Sequence, residues 1–144
     1  MYDIGVAAGH AGVSIGEAAN LLRLFDCEIH NQAGRREISA GSFLVLLTYD
    51  ALKTARVRQP EMIIKAFAGK IRKAGEDYDK LTDARREEVR GFDILVVADG
   101  EVASLGEGES YDLIHRAWIK RIPCPAIVIS ISLLELWRRF RPTP

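Results

Sequence analysis

The 144-residue chain has little of several things that would fix its class at once. It has two cysteines, Cys27 and Cys124, far apart in sequence, so neither a disulfide framework nor a paired set of zinc ligands is available. It has no excess of either charge: 20 Lys plus Arg balance 20 Asp plus Glu, so bulk charge gives no push toward nucleic acid or toward a basic partner. The balance is also local, since residues 1 to 60 hold six basic and six acidic groups. The longest apolar stretches, near Phe43 and Ile127, are too short to span a bilayer. No basic segment leads into a long apolar run at the start, so no secretory signal is expected, and the cytoplasm is the expected compartment. The three histidines, His10, His30 and His115, are scattered. No serine or cysteine sits at an elbow-like turn and no carboxylate pair stands out, so the chain reads as a non-enzyme without a cofactor. Gly5, Gly9, Gly12 and Gly16 recur early, but without the strand and lysine of a phosphate-binding loop.

What is present is a 48% hydrophobic fraction, enough to build a core, arranged in helical and strand patterns. A short helix is expected over Ile4 to Gly9, then a turn at Gly12. Ser14 is a good N-cap, with Glu17 three residues on as in a capping box, for a second helix from Ile15 to about Leu24. Its expected apolar stripe is Ile15, Ala18, Ala19 and Leu22. The polar stretch Phe25 to Ile38, with Asn31 and Gly34 as turn residues, reads as a β-hairpin or a loop. A third helix is expected from Ser42. A fourth is expected from Pro60 with Met62, Ile63, Ala66, Phe67 and Ile71 on its apolar face, interrupted at Gly75. Glu76 to Arg90 is highly charged and reads as an exposed helix or linker.

The C-terminal part opens with two apolar runs around Asp99 and Gly100, a hairpin signal. Ser110 is expected to cap a helix through Ile119. A strand follows over Ala126 to Ile131, and Ser132 with Glu135 opens a last helix to Phe140. The expected class is therefore α+β, in three parts. These are residues 1–74, a charged segment at 75–90, and a small α/β region at 91–144 with a β-hairpin, helix, strand and final helix.

The most specific motif is the segment Ile4 to Arg23. Ala7, Ala8 and Ala18 are small enough for two helices to cross, Gly12 supplies the turn, Val13 is the apolar residue after it, and Ser14 caps the second helix. The run Tyr2 to Ala8 followed by Ala11 to Ser14 resembles the opening of MerR-type regulators, and also small antitoxin-like winged-helix proteins. Phe43 to Ala55, Val57 to Glu61 and Met62 to Phe67 are similar to that family's later helices in order and spacing. The resemblance covers residues 2–67. It implies a winged helix-turn-helix that binds double-stranded DNA as a sequence-specific transcriptional regulator, with the hairpin as its wing. It places Ser14, Glu17, Asn20 and Arg23 on the recognition helix, and Arg35 and Arg36 on the wing against phosphates. One short recognition helix reads few bases, so a homodimer on paired half-sites is expected, with the 91–144 region joining copies or holding a partner. Where the family carries arginines and aromatics late in the recognition helix, this chain has Asn20-Leu-Leu-Arg23, and the family's long coiled coil is not evident.

Two other readings stand beside this one. The chain could be the antitoxin-like interaction module of a toxin–antitoxin pair, with a toxin as its protein partner. Or it could be a small ligand or metal sensor. Cys27 and His30 are three apart, a ligand spacing, but two ligands do not close a tetrahedral site, so no metal is assigned. A ligand pocket would be expected near His115, Trp118 or Cys124. Arg85, Arg86 and Arg90 alternate with Glu87 and Glu88 as a solvated helix face does. Arg138, Arg139 and Arg141 suit the last turn of a helix, where cations oppose the dipole.

Overall fold

A computed structural model of the chain describes residues 1–81, 93–97, 102–106 and 128–140. Among them are five helices and two three-stranded antiparallel sheets, a mixed α and β protein. The N-terminal order is β1 (Tyr2–Asp3), α1 (Ile4–His10), α2 (Ile15–Leu24), β2 (His30–Gln32), β3 (Arg35–Ile38), α3 (Ala40–Thr54) and α4 (Pro60–Lys80). Later come β4 (Asp93–Val97), β5 (Val102–Gly106), β6 (Val128–Ser132) and α5 (Leu133–Phe140). No helix among the described residues is long and apolar enough to cross a membrane.

Helix α3 is the centre. Every residue from Ala40 to Tyr49 is buried, as expected of a helix that is apolar on all sides. It starts two residues before the expected Ser42, because Ser39 is the N-cap and its hydroxyl accepts from the Ser42 N–H at 3.2 Å. Two polar side chains in this stretch are satisfied locally: Thr48 donates to the Leu44 carbonyl at 2.7 Å, and Ser42 meets the Ser39 hydroxyl at 3.2 Å.

Helix α4 does not stop at Gly75. It runs on to Lys80, so the expected interruption is corrected and residue 74 lies within a helix. Gly75 is there because α3 crosses at that point. A Cβ on Gly75 would fall 2.8 Å from the Ala40 carbonyl oxygen, and one on Gly41 would fall 2.5 Å from the Arg72 carbonyl oxygen. Those neighbours are backbone and have nowhere to go. Beside the crossing, the Glu76 carboxylate accepts from the Gly41 N–H at 3.1 Å. It thus satisfies a donor left open at the start of α3 and places negative charge at the positive end of that helix. On the other faces α1, α2 and α5 pack around α3. Ile63, Ile64, Ala68, Ile71 and Tyr78 make the inner face of α4, while Met62 and Ala66, expected on it, are exposed.

The first sheet has the order β1-β3-β2, with Tyr2 opposite Ile38 and Asp3 opposite Glu37. The second has the order β5-β4-β6, all antiparallel, with Val97 opposite Val102 and Asp93 opposite Ser132. The Asp99–Gly100 turn, the helix expected after Ser110, the Arg85–Arg90 cluster, and His115, Trp118 and Cys124 lie outside the described residues. The last helix starts where expected: the Glu135 N–H donates to Ser132 Oγ at 3.3 Å. Helix α5 buries Leu133, Leu134 and Trp137. Trp137 meets Tyr2 and Phe43 edge to face, with ring centroids 5.8 and 5.9 Å away, and Tyr2 and Phe43 are themselves 5.3 Å apart. The Tyr2 hydroxyl donates to the Asp79 carboxylate, tying β1 to the end of α4.

The glycine crossing yields a direct test. Gly75→Ala would gain helix propensity, about 1 kcal/mol, but it forces two backbones apart, which costs about 1–3 kcal/mol or more. A net loss of stability is expected in urea unfolding. Gly69→Ala on the same helix, where nothing lies within 4 Å of an added Cβ, should instead stabilise.

Candidate nucleic-acid interface

The two N-terminal helices are fixed by their ends. Asp3 caps α1, with its Oδ1 accepting from the Gly5 N–H at 2.7 Å. The helix closes with Gly12 in the left-handed region at φ 67°, the Gly12 N–H on the Gly9 carbonyl, and the Val13 N–H on the Ala8 carbonyl at 3.0 Å. Ser14 then caps α2, its Oγ accepting from the Glu17 N–H at 3.1 Å. The reverse half of the expected capping box is not formed, and the Glu17 side chain instead lines a groove. Ala7, Ala8 and Ala18 are buried where α1 meets α2, as expected for a crossing that needs small residues. Ile15 is the exception in the expected stripe. It is 44% exposed, so α2 packs through Ala18, Ala19 and Leu22, with half-buried Leu21 beside them.

Phe25 ends α2, and the Arg72 guanidinium of α4 donates to the Asp26 carbonyl at 2.8 Å. The remaining face of α2 is open: Ser14, Glu17, Asn20 and Arg23 are all exposed. Arg23 donates from a guanidinium nitrogen to Asn20 Oδ1 at 3.3 Å, joining these two one turn apart. Glu17 and Asn20 share a groove of about 240 Å³ with Val13, Leu21, Tyr49 and Lys53. Tyr49 and Lys53 come from the far end of α3. No local pattern could reveal them, since they join the site only by tertiary packing. The Tyr49 hydroxyl meets Glu61 Oε1 at 3.2 Å, and burial, helped by the Glu61 charge, holds its pKa above the usual phenol value.

Arg35 and Arg36 lie on the β2–β3 hairpin, opposite Gln32 and Asn31. Asn31 is thus a strand residue, and the turn is Ala33–Gly34. Both have positive φ, 50° and 77°, which is the two-residue hairpin turn that matches strand twist. From Asn31 to Arg36 the ribbon is exposed. Side chains alternate along a strand, so Arg36 shares the face of buried Ile38 and Arg35 the opposite face. A duplex lying flat on the ribbon would meet one arginine; a ribbon edge entering between phosphates would be flanked by both. Neither arginine forms an ion pair among the described residues.

Cys27 and His30 do not converge. Cys27 is 6% exposed, its thiol is directed to the Phe25 carbonyl at 3.7 Å, and burial pushes its pKa up. His30 stands on β2 and lies 3.7 Å from Glu28. Among the described residues no group of three or more metal-ligating side chains comes together. Comparison with protein-family models, with curated proteins and with solved structures returned no match.

Two outcomes follow from this geometry. Ala33 has no need of its methyl and sits where an L side chain is strained by about 1–2 kcal/mol. Ala33→Asn should raise stability by roughly 0.5–1 kcal/mol in urea unfolding, because asparagine tolerates that region. Asp50 faces the α1–α2 turn, with Oδ1 3.8 Å from the position a Cβ on Gly12 would take. Burial raises its pKa, partly offset by Lys53. A raised carboxyl favours the protonated folded form, so its contribution is most favourable at acid pH and is lost as pH rises through the folded pKa. Asp50→Asn should therefore raise the melting temperature at neutral pH, and the gain should shrink as the pH falls below the carboxylate range.

Proposed function

We propose that this protein is a sequence-specific, double-stranded DNA-binding transcriptional regulator of the MerR-like winged helix-turn-helix type, acting as a homodimer. The observation that carries the reading is the pairing of two exposed elements on one small scaffold. Helix α2 is capped at Ser14, packed through its alanine face, and leaves Glu17, Asn20 and Arg23 open. The hairpin that follows it carries Arg35 and Arg36 clear of the core. The first is the right size and polarity for a major groove; the second offers cations to the flanking phosphates. The order α1-α2-β2-β3-α3-α4 is compatible with the order the resemblance implies, two helices, a hairpin and two further helices, and β1 adds a third strand to the hairpin sheet.

Charge supports a dimer. With no net positive charge, one protomer offers three well-placed arginines, Arg23, Arg35 and Arg36. Two copies on half-sites about 34–36 Å apart double that number.

The test is a mobility shift on genomic fragments at low salt, followed by a salt titration. Four hairpin arginines on phosphates in a dimer predict a slope of log K against log salt of about −4. Arg35→Ala with Arg36→Ala removes all four and should flatten it to near zero. Failure of the wild-type chain to bind any fragment at low salt overturns the proposal.

A further inference from the structure

The Arg23–Asn20 contact restricts what α2 can read. A free asparagine offers an acceptor and a donor side by side, which matches adenine N6 and N7. Here the guanidinium, which has donors only, must meet the oxygen of the Asn20 amide, whichever way the amide is turned. One of that oxygen's two lone pairs is therefore engaged inside the protein, with the arginine's remaining N–H groups beside it. What Asn20 and Arg23 present outward is mainly a set of N–H donors. Only guanine offers two adjacent acceptors, N7 and O6, on the major-groove edge.

Glu17 lies three residues before Asn20, beside it along the same groove, and is exposed. Its carboxylate only accepts. The major-groove donor that lacks an acceptor next to it is cytosine N4, the partner edge of the same pair. Donors at positions 20 and 23 and an acceptor at 17 thus match a G·C pair, or a guanine beside a cytosine, and mismatch A·T. A carboxylate here repels phosphates, so against DNA it suits a base edge better than the backbone; in the free protein it also stands in the first turn of α2, where negative charge favours the helix dipole.

We propose that the half-site read by α2 is built on a G·C pair, with Arg23, held by Asn20, on guanine and Glu17 on cytosine. This rests on the DNA-binding reading above. Asn20 is here a positioning residue for Arg23 more than a reader in its own right.

Selection of binders from a randomised duplex library, using the full chain, tests it. Wild type should fix one guanine per half-site, preferred roughly five- to a hundredfold over the other bases. Arg23→Ala should abolish that preference. Asn20→Asp keeps an acceptor for Arg23 and should retain guanine, whereas Asn20→Leu should lose most of the preference. Glu17→Ala should relax the cytosine and tighten binding to any duplex. All three positions are exposed, so melting temperatures close to wild type should accompany these changes. If wild type instead selects adenine, and Asn20→Asp loses it, Asn20 reads the base and the inference is overturned. If wild type binds but selects no base at all, the inference is overturned while DNA binding stands. If wild type binds no duplex at low salt, both are overturned.

Discussion

The backbone contact between α3 and α4 at Gly41 and Gly75 sets the geometry of everything around it. Two helices with side chains at their crossing keep their axes 8–10 Å apart. Here neither has one, so the chains touch carbonyl to Cα. That closeness lets the Glu76 carboxylate reach the start of α3. It also brings Arg72, one turn earlier, to the Asp26 carbonyl at the end of α2. A single α4 therefore fixes the beginning of the central helix and the end of the helix that carries the candidate site. Moving α4 outward by the radius of a methyl would loosen both.

The same crossing explains where sequence reasoning held and where it failed. Gly75 reads locally as a break, since glycine costs about 1 kcal/mol in a helix interior. Only the partner helix, 34 positions earlier in the chain, reveals why the cost is accepted. Helix ends show the reverse pattern. Three successive helices, α1, α2 and α3, close with the same pair of reversed backbone bonds, ending on Val13, Cys27 and Val57. The first uses Gly12 and is legible. The other two place Asp26 and Arg56 in the left-handed region, at φ 55° and 58°, where sequence preference would have asked for glycine. Burial of Cys27 and Val57 beyond the cap is what holds those residues there. The N-caps, Ser14 and Ser132, act locally and were legible for that reason, as was the strand-to-helix passage into α5. Tyr49 and Lys53 beside the α2 face were not, because α3 brings them there.

The C-terminal helix is part of this structure and not an appendage hung from it. Trp137 is 1% exposed and stands edge-on to Tyr2 and Phe43, contacts worth about 0.5–1.5 kcal/mol per pair beyond simple burial. His10, in the last turn of α1, adds a second seam, 5.5 Å from Phe140 and 6.0 Å from Phe43. Tyr2 is the hinge of the arrangement. Its ring belongs to the aromatic group, its backbone pairs with Ile38 at the base of the arginine hairpin, and its hydroxyl bonds Asp79. The seat of the hairpin is thus in direct contact with α5, which continues without a break from the second sheet.

This connection bears on how a chain of zero net charge could hold a polyanion. Under the proposed reading diffuse attraction is unavailable, so affinity would have to come from a few cations held in register, and register depends on rigidity. A hairpin attached only at its ends would let Arg35 and Arg36 sample many positions, losing in entropy what the phosphate contacts supply. Here β1 closes the sheet, Ile38 is fully buried beneath it, and the aromatic seam backs β1 with α5. On α2 the constraint is the Asn20–Arg23 contact, which narrows the rotamers of the one arginine on that face. Both devices do the same physical work: they restrict the cations within the protein itself. With few charges and each one restrained, binding would weaken steeply when geometry fails and gain little from bulk attraction. That is the behaviour a selective reader needs and a general nucleic-acid binder does not.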